Sequence, residues 1–544
     1  MNKKSCIKIL QKLEWKSLIP ANYSDDKCHL VEYSIFENLS KEEITELVNR
    51  HSNASHMLNS AIGCLVGLAV GDSVGAPVEF KNAVSTDQIP HGKGLFYVHI
   101  QKKSASKSSS RNFSFLRKIK FRNGKKSRTT NSKKENSKSI LVPTTDDQLH
   151  ELHYKYPMLN KFFLKPGQYT DDTSMALCLA DSLIYASSKR LMKLKGTDSF
   201  YSTQIKDEVN SVENDLDFFT NESLDKMLSI EENGSHNGNI AVDPSLDLVQ
   251  VFDGKDLRLR FFSWWNQGYN NCFRFDTERP TRVSVGLGGN IAASLRQISK
   301  VKSKQEVPSK FVKESDDAGN GSLMRLAPVA IRFCNNIDLA IQVAKEQSEA
   351  THPGTLASEA CQFLCYILVN AINHNLSTDI KRENIKVFLD SVVSQYLKSY
   401  KSIISSTFLR LLEANEDPTS LEENWNWRSN ILPLSEICER RLKFDGTYKY
   451  NGYPVIPGYF GAFAPDGLAI ALFAAYNTST FDDAIQLCVD HLGDADTTAA
   501  ICGQICGAFY GLDSINPIFK ENLSVWDGNE IALRSIILLS LQTL

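Results

Sequence analysis

The spacing of apolar residues predicts α-helices along most of the chain. Apolar side chains recur three and four positions apart in the segments 339–344, 360–368 and 468–475. That period places them on one face of a helix. Alternating β-branched runs bounded by turn dipeptides, the pattern typical of strands, are scarce. We therefore predict an all-α fold.

Two rows of glycine recur at every fourth position within this apolar pattern. The first row is Gly63, Gly67, Gly71 and Gly75, and the second is Gly503, Gly507 and Gly511. Glycine costs about 1 kcal/mol relative to alanine inside a helix, so a row of it needs a reason. One reason is close approach of two packed helices, as in the small-xxx-small pairs of membrane helices. The alternative places Gly71 and Gly75 in a loop beyond the helix, and we favour it for Gly75.

Two acidic clusters, each at the start of a predicted helix, are the best indication of chemistry. They cover 169–174 (YTDDTS) and 493–498 (GDADTT), and each pairs two carboxylates with threonine hydroxyls ahead of a small-residue apolar run. Hard cations such as Mg²⁺ prefer oxygen ligands, and two carboxylate pairs could hold two ions in one site. The alternative is that Asp and Thr simply cap the two helices. The spacing alone does not decide between them.

Three further motifs accompany the clusters. They are GCLVGLAVGDSVGAPVEF at 63–80, DAGNGSLMRLAP at 317–328 and THPG at 351–354. In this order with both clusters, they resemble the ADP-ribosylglycohydrolase family, which includes dinitrogenase reductase-activating glycohydrolase and the ADP-ribosylarginine and ADP-ribosylserine hydrolases. The resemblance runs from about Met57 to about Gly511 and implies a compact, orthogonal multi-helix domain.

The resemblance also implies a metal site with two Mg²⁺ ions, for which Mn²⁺ could substitute. The implied metal ligands are Thr170, Asp171, Asp172, Asp494, Asp496 and Thr497. Glu79 matches an acidic residue of the family that works as ligand or general base, although spacing alone also fits a surface glutamate. We take Glu79, Asp172 and Asp494 as candidate catalytic carboxylates.

The turn at Gly319, Asn320, Gly321 and Ser322 is the candidate substrate-binding segment. Glycines let backbone N–H groups approach a diphosphate, and a helix starting near Ser322 would present its positive end. A bare Gly-x-Gly is more often a plain turn. His352 matches a family position near the adenine or ribose, whereas a lone histidine is more often a structural hydrogen-bonding group.

The implied reaction is hydrolysis of the bond between ADP-ribose and a modified protein side chain. Asp317, the fourth candidate catalytic carboxylate, stands with Asp316 just before the glycine turn and could hold a guanidinium leaving group through two hydrogen bonds. We therefore expect arginine-linked ADP-ribose to be preferred over the serine-linked form. Helix capping is the alternative role for both acids. Alternative functions are hydrolysis of O-acyl-ADP-ribose or poly-ADP-ribose, or an inactive, J1-crystallin-like binding or structural protein.

One position departs from the family pattern. The family usually has Gly-Gly ahead of its last acidic pair, and this chain has Leu492-Gly493. The bulk of Leu492 could shift the loop or narrow the pocket. Since every expected ligand is present, we do not infer an inactive enzyme.

Composition agrees with a globular enzyme. The 544 residues are 42% hydrophobic and 23% charged. We expect no membrane-spanning stretch and no secretory signal. Twelve cysteines without a framework spacing indicate a reducing compartment, and Cys361/Cys365 and Cys502/Cys506 fit buried thiols better than zinc ligands. We expect a cytoplasmic monomer.

We divide the chain into an N-terminal extension, 1–55, and one domain, 56–544, with two insertions. The first insertion, about 100–142, is basic, and its residues 101–140 hold fourteen Lys or Arg against one acid, Glu135. The second, about 200–256, is acidic. We expect both to lack fixed structure. The basic insertion is either a solvated loop or a contact for an anionic partner, including a nuclear-targeting signal.

Overall fold

The computed structural model describes most of the predicted domain. The described residues are 3–15, 34–52, 54–89, 101–102, 150–151, 160–194, 251–301, 303–313, 318–374, 384–414, 425–444, 449–450, 453–454 and 460–543. The predictions for Asp316 and Asp317, for nearly all of the basic insertion and for most of the acidic insertion lie outside these residues. Where it is described, the chain is built of α-helices, and the all-α prediction is confirmed.

The described residues form seventeen α-helices. In chain order they are α1 (Lys3–Lys12), α2 (Lys41–His51), α3 (His56–Gly75), α4 (Asp171–Leu194), α5 (Gly254–Gln267), α6 (Gly289–Ile298), α7 (Ala327–Arg332), α8 (Ile337–Glu349), α9 (Thr355–Asn373), α10 (Ile385–Tyr400), α11 (Ser406–Glu413), α12 (Leu434–Phe444), α13 (Ala464–Asn477), α14 (Phe481–Asp490), α15 (Ala495–Tyr510), α16 (Pro517–Asp527) and α17 (Glu530–Ser540). The described residues also include several short 3₁₀ helices and two antiparallel pairs of two-residue strands: β1 (Gln101–Lys102) with β2 (His150–Glu151), and β3 (Lys449–Tyr450) with β4 (Tyr453–Pro454).

Helices α3 and α15 form the centre of the fold and pack against each other through their glycines. A Cβ atom on Gly503 would lie 2.0 Å from the carbonyl oxygen of Gly67, and one on Gly507 would lie 2.0 Å from that of Gly63. The pairing continues to Gly75, whose Cβ would lie 2.4 Å from the Ala495 carbonyl oxygen. The helices are therefore antiparallel and in backbone contact. Gly71 and Gly75 lie within α3, so the loop alternative was wrong for both.

Further helices surround this pair. Helices α13 and α14 pack on α15, α17 packs on α3, and α8 packs along α9. The described parts of the N-terminal extension belong to the same core, because α1 and α2 pack on α17 and α2 buries Ile44 and Val48. The end of the predicted acidic insertion is structured, so the expectation that it would lack fixed structure was wrong there. Val251 is 1% exposed, and α5 begins at Gly254.

Two helical segments are long and apolar enough to cross a membrane, contrary to the expectation that no stretch would be. They are His56–Val78 and Thr355–Asn373, and their most apolar windows are 100% and 72% buried within the protein. The core helices of a folded domain have the same length and composition. Burial against other helices accounts for their apolar character here.

The described cysteines are all free and buried. The Sγ atoms of Cys502 and Cys506 lie 3.8 Å apart on successive turns of α15. Burial raises the pKa of Cys64 and Cys361, which keeps both thiols protonated. These thiols pack as small apolar groups, as the sequence pattern predicted.

Candidate active site

The two acidic clusters meet beside the C-terminal end of α3. Asp171 and Asp172 are the first residues of α4, and Asp494 and Asp496 stand at the start of α15. Because α3 and α15 are antiparallel, the start of α15 lies beside the end of α3. The chain leaving α3 continues through a 3₁₀ turn, Ala76–Val78, directly into Glu79.

Capping does not account for Asp494. This residue occupies the N-cap position of α15, yet its side chain makes no capping hydrogen bond. Its Oδ2 instead accepts a hydrogen bond from the Asn320 side chain at 2.5 Å. Asn320 also donates to the Gly461 carbonyl oxygen at 2.9 Å, so this amide joins three segments of the site.

Asp72, on α3, fixes the position of the first cluster. It accepts hydrogen bonds from the backbone N–H groups and hydroxyls of both Thr170 and Thr173, at 2.6 to 3.1 Å. A carboxylate of α3 therefore caps the start of α4 in place of a residue of α4 itself. Our predictions assigned no role to Asp72. The sequence did indicate a role for Asp72, because it is a carboxylate within a long apolar helix. Burying a carboxylate is costly unless the group is hydrogen-bonded or functional.

The carboxylates form two groups of three that share Asp496. Asp72, Asp172 and Asp496 make one group, and Glu79, Asp494 and Asp496 make the other. Within each group, one oxygen per residue lies within 4.8 Å of the others. All five residues are buried. Such oxygen clusters suit hard divalent cations, and one shared carboxylate suits two neighbouring ions.

Two oxygens in this cluster lack protein partners. Glu79 Oε2 and Asp172 Oδ1 are buried and accept no hydrogen bond from the described residues. Unbonded buried carboxylate oxygens are unfavourable, and a bound cation would satisfy them. The donor set therefore fits divalent metal ions.

The electrostatics of the cluster agree with a cation site. Burial, and then the charges of Asp496 and Asp494, hold the pKa of Glu79 well above its ordinary value. Burial, and then repulsion from Asp72 and Asp496, raises the pKa of Asp172 in the same way. The pKa values of Asp171 and Asp496 are also raised well above the ordinary value, first by burial and then by neighbouring carboxylates. Positive charge at this point would relieve the repulsion.

The two predicted threonine ligands lie next to these carboxylates. The Thr170 hydroxyl donates to Asp72 at 2.8 Å, and its oxygen lies 3.2 Å from an oxygen of Asp172. Thr497 lines the cavity described below, and its backbone N–H donates to Asp496 at 2.9 Å. Both residues could add an oxygen ligand.

A cavity of about 650 Å³ opens above the carboxylates. Its lining includes Glu79, Phe80, Phe162, Asp171, Gly286, Leu287, Gly288, Gly289, Asn290, Ile291, Ala293, Lys313, Gly319, Asn320, Gly321, Met324, His352, Cys438, Phe460, Gly461, Ala462, Phe463, Asp466, Asp494, Asp496 and Thr497. This volume lies within the usual range for small-molecule sites.

The predicted Gly319–Gly321 turn forms one wall of the cavity against His352. Cβ atoms on Gly319 and Gly321 would lie 3.3 and 2.9 Å from the His352 ring, so the glycines let the ring approach the backbone closely. Thr351 and the ring Nδ1 are hydrogen-bonded at 2.8 Å. Burial lowers the pKa of His352 to about 3, so the imidazole is neutral.

Ser322 does not line the cavity with its neighbours. Its fully buried hydroxyl bonds with Ser348 at 2.8 Å and accepts from the Cys361 thiol at 3.3 Å. The side chain therefore supports the wall from behind. The segment Asn320–Ser322 is a 3₁₀ turn, and α7 begins only at Ala327, so the helix expected to start near Ser322 was wrong.

Two cavity segments were missing from the predictions. Residues 286–289 pass over the first cluster, and a Cβ on Gly286 would lie 1.9 Å from Asp171 Oδ1. Residues 460–463 pass over the second, where the Phe460 carbonyl oxygen accepts from the Asp494 N–H at 2.9 Å. In the sequence, the glycines at 286, 288 and 289 could have indicated the first segment as a site of close backbone approach. Gly461 could have indicated the second.

Leu492 replaces glycine where the backbone is left-handed. Its φ is 62° and that of Gly493 is 68°. Glycine adopts this conformation without steric cost, whereas leucine does not. The leucine side chain is 7% exposed, and its burial offsets part of that cost. Gly493 forms an isolated antiparallel β-bridge with Lys81. This bridge links the loop before Asp494 to the segment that follows Glu79.

Residues 53–540 match the model of the ADP-ribosylglycohydrolase family. Two curated relatives, the ADP-ribosylarginine hydrolases Tri1 of Serratia proteamaculans (strain 568) and Pseudomonas putida (strain GB-1), are each 26% identical to this chain, over 362 and 363 residues. The alignments cover 66% and 67% of this chain, and the chain spans 65% and 64% of the relatives' length. A solved structure titled "ADP-ribosylglycohydrolase-related protein complex" is 19% identical, with a TM-score of 0.46 over 90% of this chain and 99% of that one. On the family match across most of its length, this chain belongs to the ADP-ribosylglycohydrolase family.

Proposed function

We propose that this protein is a divalent-metal-dependent hydrolase that releases ADP-ribose from modified protein side chains, with arginine preferred over serine. The observation that carries the proposal is the pair of carboxylate groups sharing Asp496 at the base of a cavity of about 650 Å³. Family membership supports the reaction class. Mg²⁺ is the proposed ion because every ligand is a hard oxygen donor.

Asp72, Asp172, Glu79, Asp494 and Asp496 are the proposed holders of the ions, with the threonines of the two clusters beside them. When bound, the ions supply a Lewis acid for ribose hydroxyls and a water of lowered pKa. The protein itself supplies orientation. Asn320 fixes Asp494, and Asp72 fixes the start of α4.

The cavity walls suit the remainder of ADP-ribose. Glycines of the 319–321 wall and of the 286–289 segment line the cavity, and the lack of side chains there lets a diphosphate approach the backbone. The neutral His352 ring beside the first of these walls can donate or accept one hydrogen bond. Apolar cavity residues such as Ile291, Met324 and Phe463 offer surface for a base or ribose face.

The arginine preference draws on the relatives, which are named as ADP-ribosylarginine hydrolases. Asp317, the earlier basis for this preference, lies outside the described residues. A catalytically inactive binding protein is disfavoured, because clustered buried carboxylates destabilise a scaffold that has no ion to hold. The alternative enzymatic activity is hydrolysis of O-acyl-ADP-ribose or poly-ADP-ribose.

The test compares arginine-linked and serine-linked ADP-ribosyl peptides with the purified protein, with Mg²⁺ or with excess EDTA. We expect faster release from the arginine-linked peptide. In EDTA we expect loss of activity and a lower melting temperature, since ions that bind only the folded state stabilise it. Full turnover in EDTA would overturn the metal proposal. Faster release from serine would overturn the substrate preference.

The basic insertion is proposed to contact an anionic partner. Residues 101–140 hold fourteen cationic side chains between Glu79 and the first acidic cluster, so we expect the insertion to emerge near the rim of the cavity. Deleting these residues should leave the melting temperature within about 2 °C of wild type. It should also weaken binding to an anionic ligand such as heparin and reduce its salt dependence. A large fall in melting temperature would show that the segment is packed.

The proposed oligomeric state and location remain a monomer in the cytoplasm. Nuclear targeting through the basic insertion is the alternative.

A further inference from the structure

Phe80, directly after Glu79, has a strained backbone and an exposed ring. Its φ is 69°, a region that bulky residues rarely adopt, and its side chain is 42% exposed at the cavity. Left-handed backbone costs a non-glycine residue about 1–2 kcal/mol. Strain at an exposed aromatic residue beside an active site points to a functional role.

A second aromatic ring accompanies it. Phe162 also lines the cavity, and its ring meets that of Phe80 edge to face, with centroids 5.8 Å apart. The loop that carries Phe162 is fixed at several points. Arg279 donates to the Phe162 carbonyl oxygen at 3.0 Å, and Asn160 bonds the N–H and carbonyl of Leu164 at 3.0 and 2.7 Å. The backbone of the loop that carries Phe162 is therefore held in place by the surrounding structure.

A cation already lies over the Phe80 ring. The Lys161 ammonium is 4.4 Å from the centroid of the Phe80 ring. A cation within about 6 Å of an aromatic face is attracted by the ring quadrupole. Guanidinium groups make this contact readily, because they are planar and weakly hydrated.

The location of the two rings in the cavity determines which part of the substrate contacts them. Glu79 belongs to the carboxylate cluster, and Phe80 is its immediate neighbour, so the ring lies at the reacting end of the cavity. In ADP-ribose, the adenine is separated from the reacting carbon by two riboses and a diphosphate. The group that adjoins the reacting carbon is the side chain to be released.

We propose that Phe80 and Phe162 form the subsite for the guanidinium of the modified arginine, which takes the place of the Lys161 ammonium on the Phe80 ring. This inference rests on the proposed function and adds the residues that determine its leaving-group preference. A neutral serine linkage gains nothing from the ring quadrupole.

The test measures kcat/KM for arginine-linked and serine-linked peptides with wild type, Phe80→Leu and Phe162→Leu. Leucine keeps the apolar character, and at position 80 it keeps the backbone strain, but it removes the π-face. Phe163→Leu is the matched control, because Phe163 also has positive φ, at 53°, and is 82% exposed but does not line the cavity. Inhibition by free ADP-ribose and melting temperature are measured for every variant.

We expect kcat/KM for the arginine-linked peptide to fall about two- to fivefold in each cavity variant, mainly through KM. Serine-linked hydrolysis, ADP-ribose inhibition and the control should stay near wild type. An unchanged arginine-to-serine ratio would overturn the inference alone. Equal losses on both peptides with weaker ADP-ribose inhibition would place the nucleotide on the rings and overturn it too. Failure of the wild type to cleave either peptide would overturn the proposed function and this inference with it.

Discussion

Replacing Asp496 by asparagine is expected to lower kcat by about 10²–10³-fold while the protein stays folded. Asp496 is the carboxylate shared by both groups, so its loss weakens both proposed ion sites at once. Asparagine has nearly the same shape, and Asp496 is 2% exposed in close contact with other carboxylates. Removing one negative charge reduces their mutual repulsion. The metal-free variant should therefore melt no lower than the metal-free wild type.

Melting curves with and without Mg²⁺ separate this explanation from simple unfolding. The wild type should gain stability with Mg²⁺, and Asp496→Asn should gain much less. Asp87→Asn is the matched control, because Asp87 is exposed on the segment after Glu79 and belongs to neither carboxylate group. It should keep wild-type activity and the full Mg²⁺ response. An Asp496→Asn protein with normal turnover would exclude a role for the shared carboxylate.

The sequence predicted that each acidic cluster marks a helix start, and the family resemblance implied that the two clusters share one site. Helix starts favour Asp and Thr for local reasons, so either cluster alone was ambiguous. The structure separates the explanations through Asp494, whose carboxylate makes no cap and instead binds Asn320. The two glycine rows suggested close approach of packed helices, and the structure shows that the two rows pack against each other.

Other parts of the site depend on contacts between distant segments, which local periodicity does not record. Asp72 was visible in a quoted motif, but its bonds to Thr170 and Thr173 span about a hundred residues. Ser322 shows the opposite case. Its place in a glycine turn suggested substrate binding, and packing of the turn onto Ser348 directs the hydroxyl inward. The identity of a turn is local, whereas the direction of its side chains depends on the neighbouring helix.

The second large effect concerns the central helix pair, where Gly503→Ala is expected to destabilise the protein by about 3 kcal/mol or more. The added Cβ would lie 2.0 Å from the Gly67 carbonyl oxygen and 2.6 Å from its carbon. These are backbone atoms within α3, so they cannot move aside as a flexible side chain would. Helices α3 and α15 would have to separate. Because their ends carry Glu79, Asp72 and Asp496, separation would also disturb the carboxylate cluster.

Gly289→Ala is the control for this prediction, because it makes the same chemical change at the start of helix α6. A Cβ there has no atom within 4 Å, and the residue is exposed. Alanine restricts the unfolded chain and favours the helix, so a change between zero and about 1 kcal/mol of added stability is expected. Urea unfolding of both variants measures the difference directly. If Gly503→Ala unfolded within 1 kcal/mol of the wild type, α3 and α15 could not be in backbone contact, and the glycine rows would need another explanation.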